Sequence, residues 1–226
     1  MQEALRQFAL GVAVLVLTGS AAWAQVCSGA VPISNTSRYN AGGALLFAED
    51  TMGFSGIVQG GNSNFFGGFQ IGRVTVDVPG DDVSSTVIGG RVGAQFTYEM
   101  ERPLHVCPVF TLSRQSASDV GEVDDLDLSS TSLAFGADVG LLVHEVGTTQ
   151  IVPTAGLYFA RISARSEFEG EELFDESESG GLFNVGAGII FNQRFSVTPL
   201  VSFPFGFGSG TDPSFSITAL YAFGAR

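Results

Sequence analysis

From residue 39 to the end, apolar side chains recur at every second position, in blocks separated by short polar, Gly- or Pro-containing stretches. A period of two is the signature of strands, since successive side chains leave a strand on opposite faces. Ten blocks carry it. They span 39–48 (Tyr39, Ala41, Gly43, Leu45, Phe47), 52–60 (Met52, Phe54, Gly56, Val58) and 64–76 (Phe65, Gly67, Phe69, Ile71). Next come 85–99 (Ile88, Val92, Ala94, Phe96, Tyr98), 105–115 (Val106, Pro108, Phe110, Leu112) and 131–144 (Leu133, Phe135, Ala137, Val139, Leu141, Val143). The last four are 150–163 (Ile151, Pro153, Ala155, Leu157, Phe159), 181–192 (Phe183, Val185, Ala187, Ile189, Phe191), 195–208 (Phe195 through Phe207) and 214–224 (Phe215, Ile217, Ala219, Tyr221, Phe223). No stretch shows a helical period with caps.

The opposite face of each block is different in kind. It reads Gly89, Arg91, Gly93, Gln95, Thr97 in the fourth block and Ser132, Ala134, Gly136, Asp138, Gly140, Leu142 in the sixth. In the ninth it reads Ser196, Thr198, Leu200, Ser202. Alternation alone does not say which face looks inward. A soluble barrel hides its apolar face and shows charge to water; a membrane barrel shows its apolar face to lipid and keeps small or polar residues inside. The second face holds almost no charge beyond Arg91 and Asp138, so it suits a narrow lumen and not a watered surface. The pattern therefore predicts an all-β, closed, antiparallel up-and-down transmembrane barrel of ten strands, or eight if the first two blocks are not separate spans. Pro108, Pro153, Pro199 and Pro204 fall inside predicted strands, where a missing N–H breaks the ladder; bulges or strand ends are where such residues belong.

Residues 1–24 have the form of a cleaved secretory signal. Arg6 precedes an apolar run from Phe8 to Leu17, and Ala22-Trp23-Ala24 ends it in a small-x-small site. The run is too short to span a bilayer, which takes about 20 residues. Residues 25–38 then form a periplasmic N-terminal segment and 39–226 the barrel domain. The chain has 226 residues, ten Arg, no Lys, 23 acids and a net charge of −13. Such a chain has no basic face for nucleic acid.

With a periplasmic N-terminus, alternate connections lie outside the cell. Those on the periplasmic side are short, while 77–84, 116–130 and 164–180 on the outer side are longer, the asymmetry expected of these barrels. Of the 22 acids after residue 24, the outer connections hold 18.

The signal end, the ten alternating blocks and the final Phe215–Phe223 segment (FSITALYAF) together resemble the small outer-membrane β-barrel proteins of Gram-negative bacteria, the OmpA-like, OmpX-like and opacity-type superfamily. The resemblance implies an integral outer-membrane location, with loops extracellular and termini periplasmic. It also implies that Phe215, Ile217, Tyr221 and Phe223 carry the signal read by the outer-membrane assembly machinery. Gly224-Ala225-Arg226 follow Phe223, where the group usually ends on the aromatic. Fold and location follow from such a likeness; activity does not.

Several residues are candidates for chemistry. Cys27 and Cys107, the only cysteines, both map to the periplasmic side, where an oxidising compartment allows a disulfide; the alternative is two free thiols. Arg91 and Asp138, with Gln95, face the predicted lumen, either as a polar plug or as selectivity charges. The acidic stretches 119–127 (Asp119, Glu122, Asp124, Asp125, Asp127) and 167–179 (Glu169, Glu171, Glu172, Asp175, Glu176 among them) offer hard oxygen ligands for divalent cations. Their spacing matches no defined calcium loop, and a solvated repulsive surface is the alternative. His105 and His144 are the only histidines and lack a partnered nucleophile, so no acid–base site is predicted, and no cofactor. The expected role is a non-enzymatic structural or surface-interaction barrel contacting outer-membrane lipid and lipopolysaccharide. The alternative is a narrow, weakly cation-favouring, porin-like diffusion channel. A channel needs a wet path past Arg91, Asp138, Leu142 and Leu200; a structural barrel needs those positions packed.

Overall fold

The computed structural model of the chain describes residues 27, 30, 38–62, 64–78, 81–117, 126–168, 171–208 and 212–223. The proposed signal segment 1–24 lies outside them. The strands are β1 (Arg38–Ala48), β2 (Thr51–Gly61), β3 (Phe65–Val78), β4 (Asp81–Ala94), β5 (Phe96–Tyr98) and β6 (Leu104–Ala117). They continue as β7 (Leu126–Leu141), β8 (His144–Val146), β9 (Thr149–Phe168), β10 (Glu171–Phe191), β11 (Phe195–Phe205) and β12 (Ser214–Phe223). All pairings are antiparallel; β4 and β5 both pair with β6, β7 and β8 both pair with β9, the other strands pair with their chain neighbours, and β1 pairs with β12 from Tyr39↔Phe223 to Phe47↔Phe215, which closes the ring. The short β5 and β8 prolong β4 and β7, so the wall has ten staves.

Both ends of the ring are distinguishable. One rim carries the start of β1, the end of β12 and the β2–β3, β5–β6, β8–β9 and β10–β11 connections, and is here the terminal rim. The other carries the β1–β2, β3–β4, β6–β7, β9–β10 and β11–β12 connections, and is the hairpin rim. Following paired residues round from Tyr39 gives Gly60, Gly67, Val92, Phe110, Phe135, Phe159, Gly181 and Phe205. Carrying the same registers past the ends of β11 and β12 returns to the line of β1 at position 51, a stagger of twelve residues per circuit. With ~3.3 Å per residue and ~4.8 Å between strands, that stagger tilts the strands by roughly 40°.

The two faces lie as the alternation requires. Tyr39, Leu45, Phe47, Phe54, Phe69, Ile71, Phe110, Phe135, Leu157, Phe159, Phe183, Phe203 and Phe215 are exposed on the outside. Asn40, Gln59, Gln70, Arg91, Thr111, Ser132, Asp138, Thr154, Asn184, Ser196 and Thr218 are buried inside. Among the described residues five aromatic pairs sit across adjacent strands on the outer face, Tyr39–Phe223 and Phe135–Phe159 among them, with ring centroids 5.7–6.4 Å apart. An exterior so apolar is stable against lipid and not against water.

The four prolines have a structural account. Pro108 of β6 lies where the ladder to β4 stops at Gly93↔Val109 and resumes, in the same register, at Phe96↔Val106 of β5. Pro153 of β9 lies where pairing with β7 stops at Gly140↔Thr154 and resumes one residue out of step at His144↔Ile151 of β8. Pro199 of β11 falls between Gly186↔Leu200 and Ile189↔Val197, where the ladder to β10 is likewise interrupted. Pro204 lies beyond the last β11–β12 pair, Ser202↔Ser214. Each proline thus stands at a gap or an end, where no N–H is needed. The division of two staves into β4/β5 and β7/β8 follows from prolines on their neighbours.

Strand length differs from the sequence reading on the hairpin rim. The stretches 77–84 and 164–180, expected as loops, are mostly strand: β3 runs to Val78, β4 starts at Asp81, and β9 and β10 meet across residues 169–170. β9 and β10 have 20 and 21 residues, about twice the 9–11 that cross a bilayer. β7, β9 and β10 therefore rise beyond the rim as a three-stranded wall, paired from Leu126↔Phe168 and Glu171↔Phe168. A bulge between Glu172 and Phe174 marks its tip. On the other side β1, β2, β11 and β12 have only 10–11 residues, so the barrel is tall on one side and short on the other.

Candidate functional site

The lumen centres on Arg91 of β4. It is 3% exposed, and its Nη2 donates to an Asp138 carboxylate oxygen of β7 and, at 2.9 Å, to the Tyr158 hydroxyl of β9. The guanidinium carbon lies 5.9 Å from the ring centroids of both Phe66 and Tyr158. Two charges with little access to water are stable only as a pair, and aromatic faces add to the cation's stabilisation. The cluster therefore ties β3, β4, β7 and β9 together across the interior.

Glycine provides the space. A Cβ at Gly156 would overlap Asp138 Oδ1 and stand 3.0 Å from the Tyr158 ring. At Gly93 a Cβ would overlap the Phe66 ring. The small residues of the inner face are thus the volume into which two aromatic rings and an ion pair fit. Arg91 and Asp138, which the alternation assigns to one face, are brought together as an ion pair. Tyr158 and Phe66 went unmarked in the sequence, although their parity, opposite to Leu157, Phe159 and Phe65, places both inside.

Cys27 and Cys107 form a disulfide, with Cα atoms 6.1 Å apart. Cys107 points inward in register with Asp138, and Cys27 and Ala30 are buried among lumen residues. The expected pairing is present. The bond holds Cys27, with Ala30 close by in sequence, in the barrel interior. Gln95, half-buried in the break between β4 and β5, brings its amide oxygen to 3.9 Å from Cys27 Sγ. An oxidised sulfur has no proton to donate, so this is a packing contact.

Further round the lumen, Thr154, Ser196, Ser202, Ser214 and Ser216 are buried and their hydroxyls have no partner among the described residues. Leu200 is packed, and Leu142 lies against Val152, Ile190 and Ala222. All four positions on which a through-path depends, Arg91, Asp138, Leu142 and Leu200, are thus in packed surroundings.

Of the acids considered for cations, Asp119, Glu122, Asp124, Asp125 and Glu169 lie outside the described residues, as does the side chain of Glu171. Asp127, Glu172, Asp175 and Glu176 are on strands of the wall, not on loops. Glu172 pairs with Arg165 at 2.8 Å, and Arg165 also reaches Glu167 at 2.9 Å. Among the described residues no three His, Cys, Asp or Glu side chains converge on a metal position. His105 Nδ1 is 3.0 Å from Thr97 Oγ1 on the terminal rim; the His144 side chain is outside the described residues. On β12, Phe215, Tyr221 and Phe223 point outward and are exposed.

No protein-family model and no curated protein matches the chain. Solved structures do. The translocator domain of the autotransporter NalP from Neisseria meningitidis is similar with a TM-score of 0.51 and 11% identity, over 83% of this chain and 86% of that one. Ail, the attachment invasion locus protein of Yersinia pestis, in complex with the heparin analogue sucrose octasulfate, aligns with a TM-score of 0.44 and 10% identity, over 83% and 97%. The KdgM porin aligns with a TM-score of 0.34 and 8% identity, over 83% and 99%. The fold shared with the translocator domain is a closed antiparallel β-barrel.

Proposed function

We propose that the protein is an integral outer-membrane barrel with a sealed lumen and no enzymatic activity, whose role is structural or that of a surface for interaction. The observation that carries this reading is the buried Arg91–Asp138–Tyr158 cluster, with Leu142 and Leu200 packed beside it. In this reading the terminal rim faces the periplasm and the hairpin rim faces outward. The acids support that orientation. Glu49, Asp50, Asp77, Asp82, Asp127, Glu167, Glu172, Asp175, Glu176, Glu178 and Asp212 all belong to the hairpin rim or the wall above it. The partners are outer-membrane lipid and lipopolysaccharide, the assembly machinery acting on β12, and divalent cations drawn to the acidic wall.

The alternative, a narrow cation-favouring channel, has one observation on its side. The strip of unpartnered lumen hydroxyls on β11 and β12 calls for water as its hydrogen-bond partner. Single-channel recording separates the two. Residues 25–226, refolded in detergent and shown by protease protection to be inserted in a planar bilayer, should give no stable openings. Steady cation-selective openings would overturn the sealed reading and make Arg91 and Asp138 its selectivity residues.

A further inference from the structure

The outer face changes character at a sharp line on the tall side. Read toward the hairpin rim, the last exposed apolar residues are Ile71 on β3, Ile88 on β4, Leu112 on β6, Leu133 on β7 and Phe159 on β9. The next outward positions are Arg73, Thr86, Arg114, Thr131 and Arg161, all exposed. Three of the chain's ten arginines thus stand on alternate staves at the first polar position above the apolar belt.

Registers put the three at one height. Arg73 pairs through Thr86 with Ser116 of β6, and Arg114 lies two residues below Ser116. Arg114 pairs through Thr131 with Ser163 of β9, and Arg161 lies two residues below Ser163. A drop of two residues over two staves matches the stagger of twelve over ten, so the row runs level around the tilted wall. Two staves across and two residues down separate neighbouring arginines' Cα positions by roughly 12 Å.

Among the described residues no carboxylate lies within ion-pair distance of Arg73, Arg114 or Arg161; Arg161 Nη2 donates to Ser177 Oγ at 3.1 Å. Arg165, the next outward arginine on β9, is instead held by Glu167 and Glu172. The guanidinium forks at the belt's edge are therefore available to an external anion at the depth where lipid headgroups meet water. Guanidinium matches phosphate bidentately. At the same height on the short side stand Phe47 and Phe205, which offer nothing to an anion.

We infer that Arg73, Arg114 and Arg161 form a site on the barrel's outer wall for the phosphate groups of a phosphorylated glycolipid in the surrounding outer leaflet. This rests on the outer-membrane orientation proposed above. It assigns the lipid contact to one side of the barrel and to three side chains.

The test uses refolded 25–226 and three vesicle compositions: phosphatidylcholine alone, the same with lipid A, and the same with dephosphorylated lipid A. Insertion is measured first, by the heat-dependent mobility shift of the folded barrel. Bound lipid is then measured after detergent extraction. The expected result is selective retention of phosphorylated lipid A. The triple variant R73Q/R114Q/R161Q should weaken it on the order of tenfold or more, since each cation near a charged surface contributes substantially. The terminal-rim variant R102Q/R194Q should leave it unchanged. Should the triple variant fail to fold, the three single variants and the salt dependence of wild-type retention carry the same comparison. Equal retention of the two lipid A forms, or a preference that survives loss of the arginines, overturns the site while leaving the membrane reading intact. Failure to insert into any of the three vesicles overturns the membrane reading itself.

Discussion

At the scale of single residues, the lumen cluster makes the sharpest demands. Removing one member of a buried ion pair strands the other, so Arg91→Ala or Asp138→Ala should each lower stability by about 3–5 kcal/mol. Replacing both at once, as R91M/D138L, should be far milder, because no uncompensated charge remains. Urea titrations of the refolded barrel, read by the mobility shift, give the comparison; two single variants no worse than the double would refute the pairing. Gly156→Ala tests the space beside it. The added methyl meets Asp138 and Tyr158, and overpacking of this kind costs about 1–3 kcal/mol. Much of the cluster was legible in the sequence. Arg91 and Asp138 are rare charges on an otherwise uncharged face, and rarity made them visible. Tyr158 and Phe66 were not, because Leu157, Phe159 and Phe65 beside them dominate the apolar count, and only parity separates a ring inside from a ring outside.

At the scale of elements, the strands were legible as far as the lipid and no further. The apolar outer face identifies a strand only while lipid is there to demand it. On β9 that face ends at Phe159, yet Ile162, Ala164 and Ser166 continue the buried inner face, and Arg161, Ser163 and Arg165 the outer one. The wall is thus a strand whose outer side has changed solvent. Its hairpin should be separable from the barrel. Excising 164–176 and joining Ser163 to its partner Ser177 through a two-residue turn preserves the register below. The shortened protein should refold with an unchanged mobility shift; loss of folding would mean that the wall nucleates the barrel. The prolines make a second element-scale prediction. In Pro199→Ala the new amide faces an interrupted stretch of the β10–β11 ladder. Hydrogen exchange should show protection at position 199, with a stability gain of no more than about 1 kcal/mol. A rapidly exchanging amide there would show that something other than the proline keeps the strands apart.

At the scale of the whole molecule, the disulfide ties Cys27 to the barrel wall at Cys107. Cys27 and Cys107 are 80 residues apart, and closing a loop of that size restricts the unfolded chain by about 4 kcal/mol. C27S/C107S should lower the unfolding midpoint accordingly, and reducing agent should do the same to the wild type but nothing to the variant. Equal midpoints in all four samples would mean that Cys27 is held in the interior by packing alone. That the two cysteines pair was legible from the single end of the barrel to which the sequence reading assigns both. That the pair sits inside was not, because residues 25–38 have no alternation to assign them a face.

The unequal height of the wall has a consequence in the plane of the membrane. A barrel of uniform height presents the same profile in every direction, whereas this one has a front and a back. A neighbour diffusing up to β1, β2, β11 and β12 meets aromatic rings and strands that end with the belt. One arriving at β7, β9 and β10 meets a charged rampart rising past it. In a crowded membrane the protein would therefore have a compass bearing, set by the lengths of its strands. Cysteine cross-linking from Phe47 and from Ser163 should capture different neighbours.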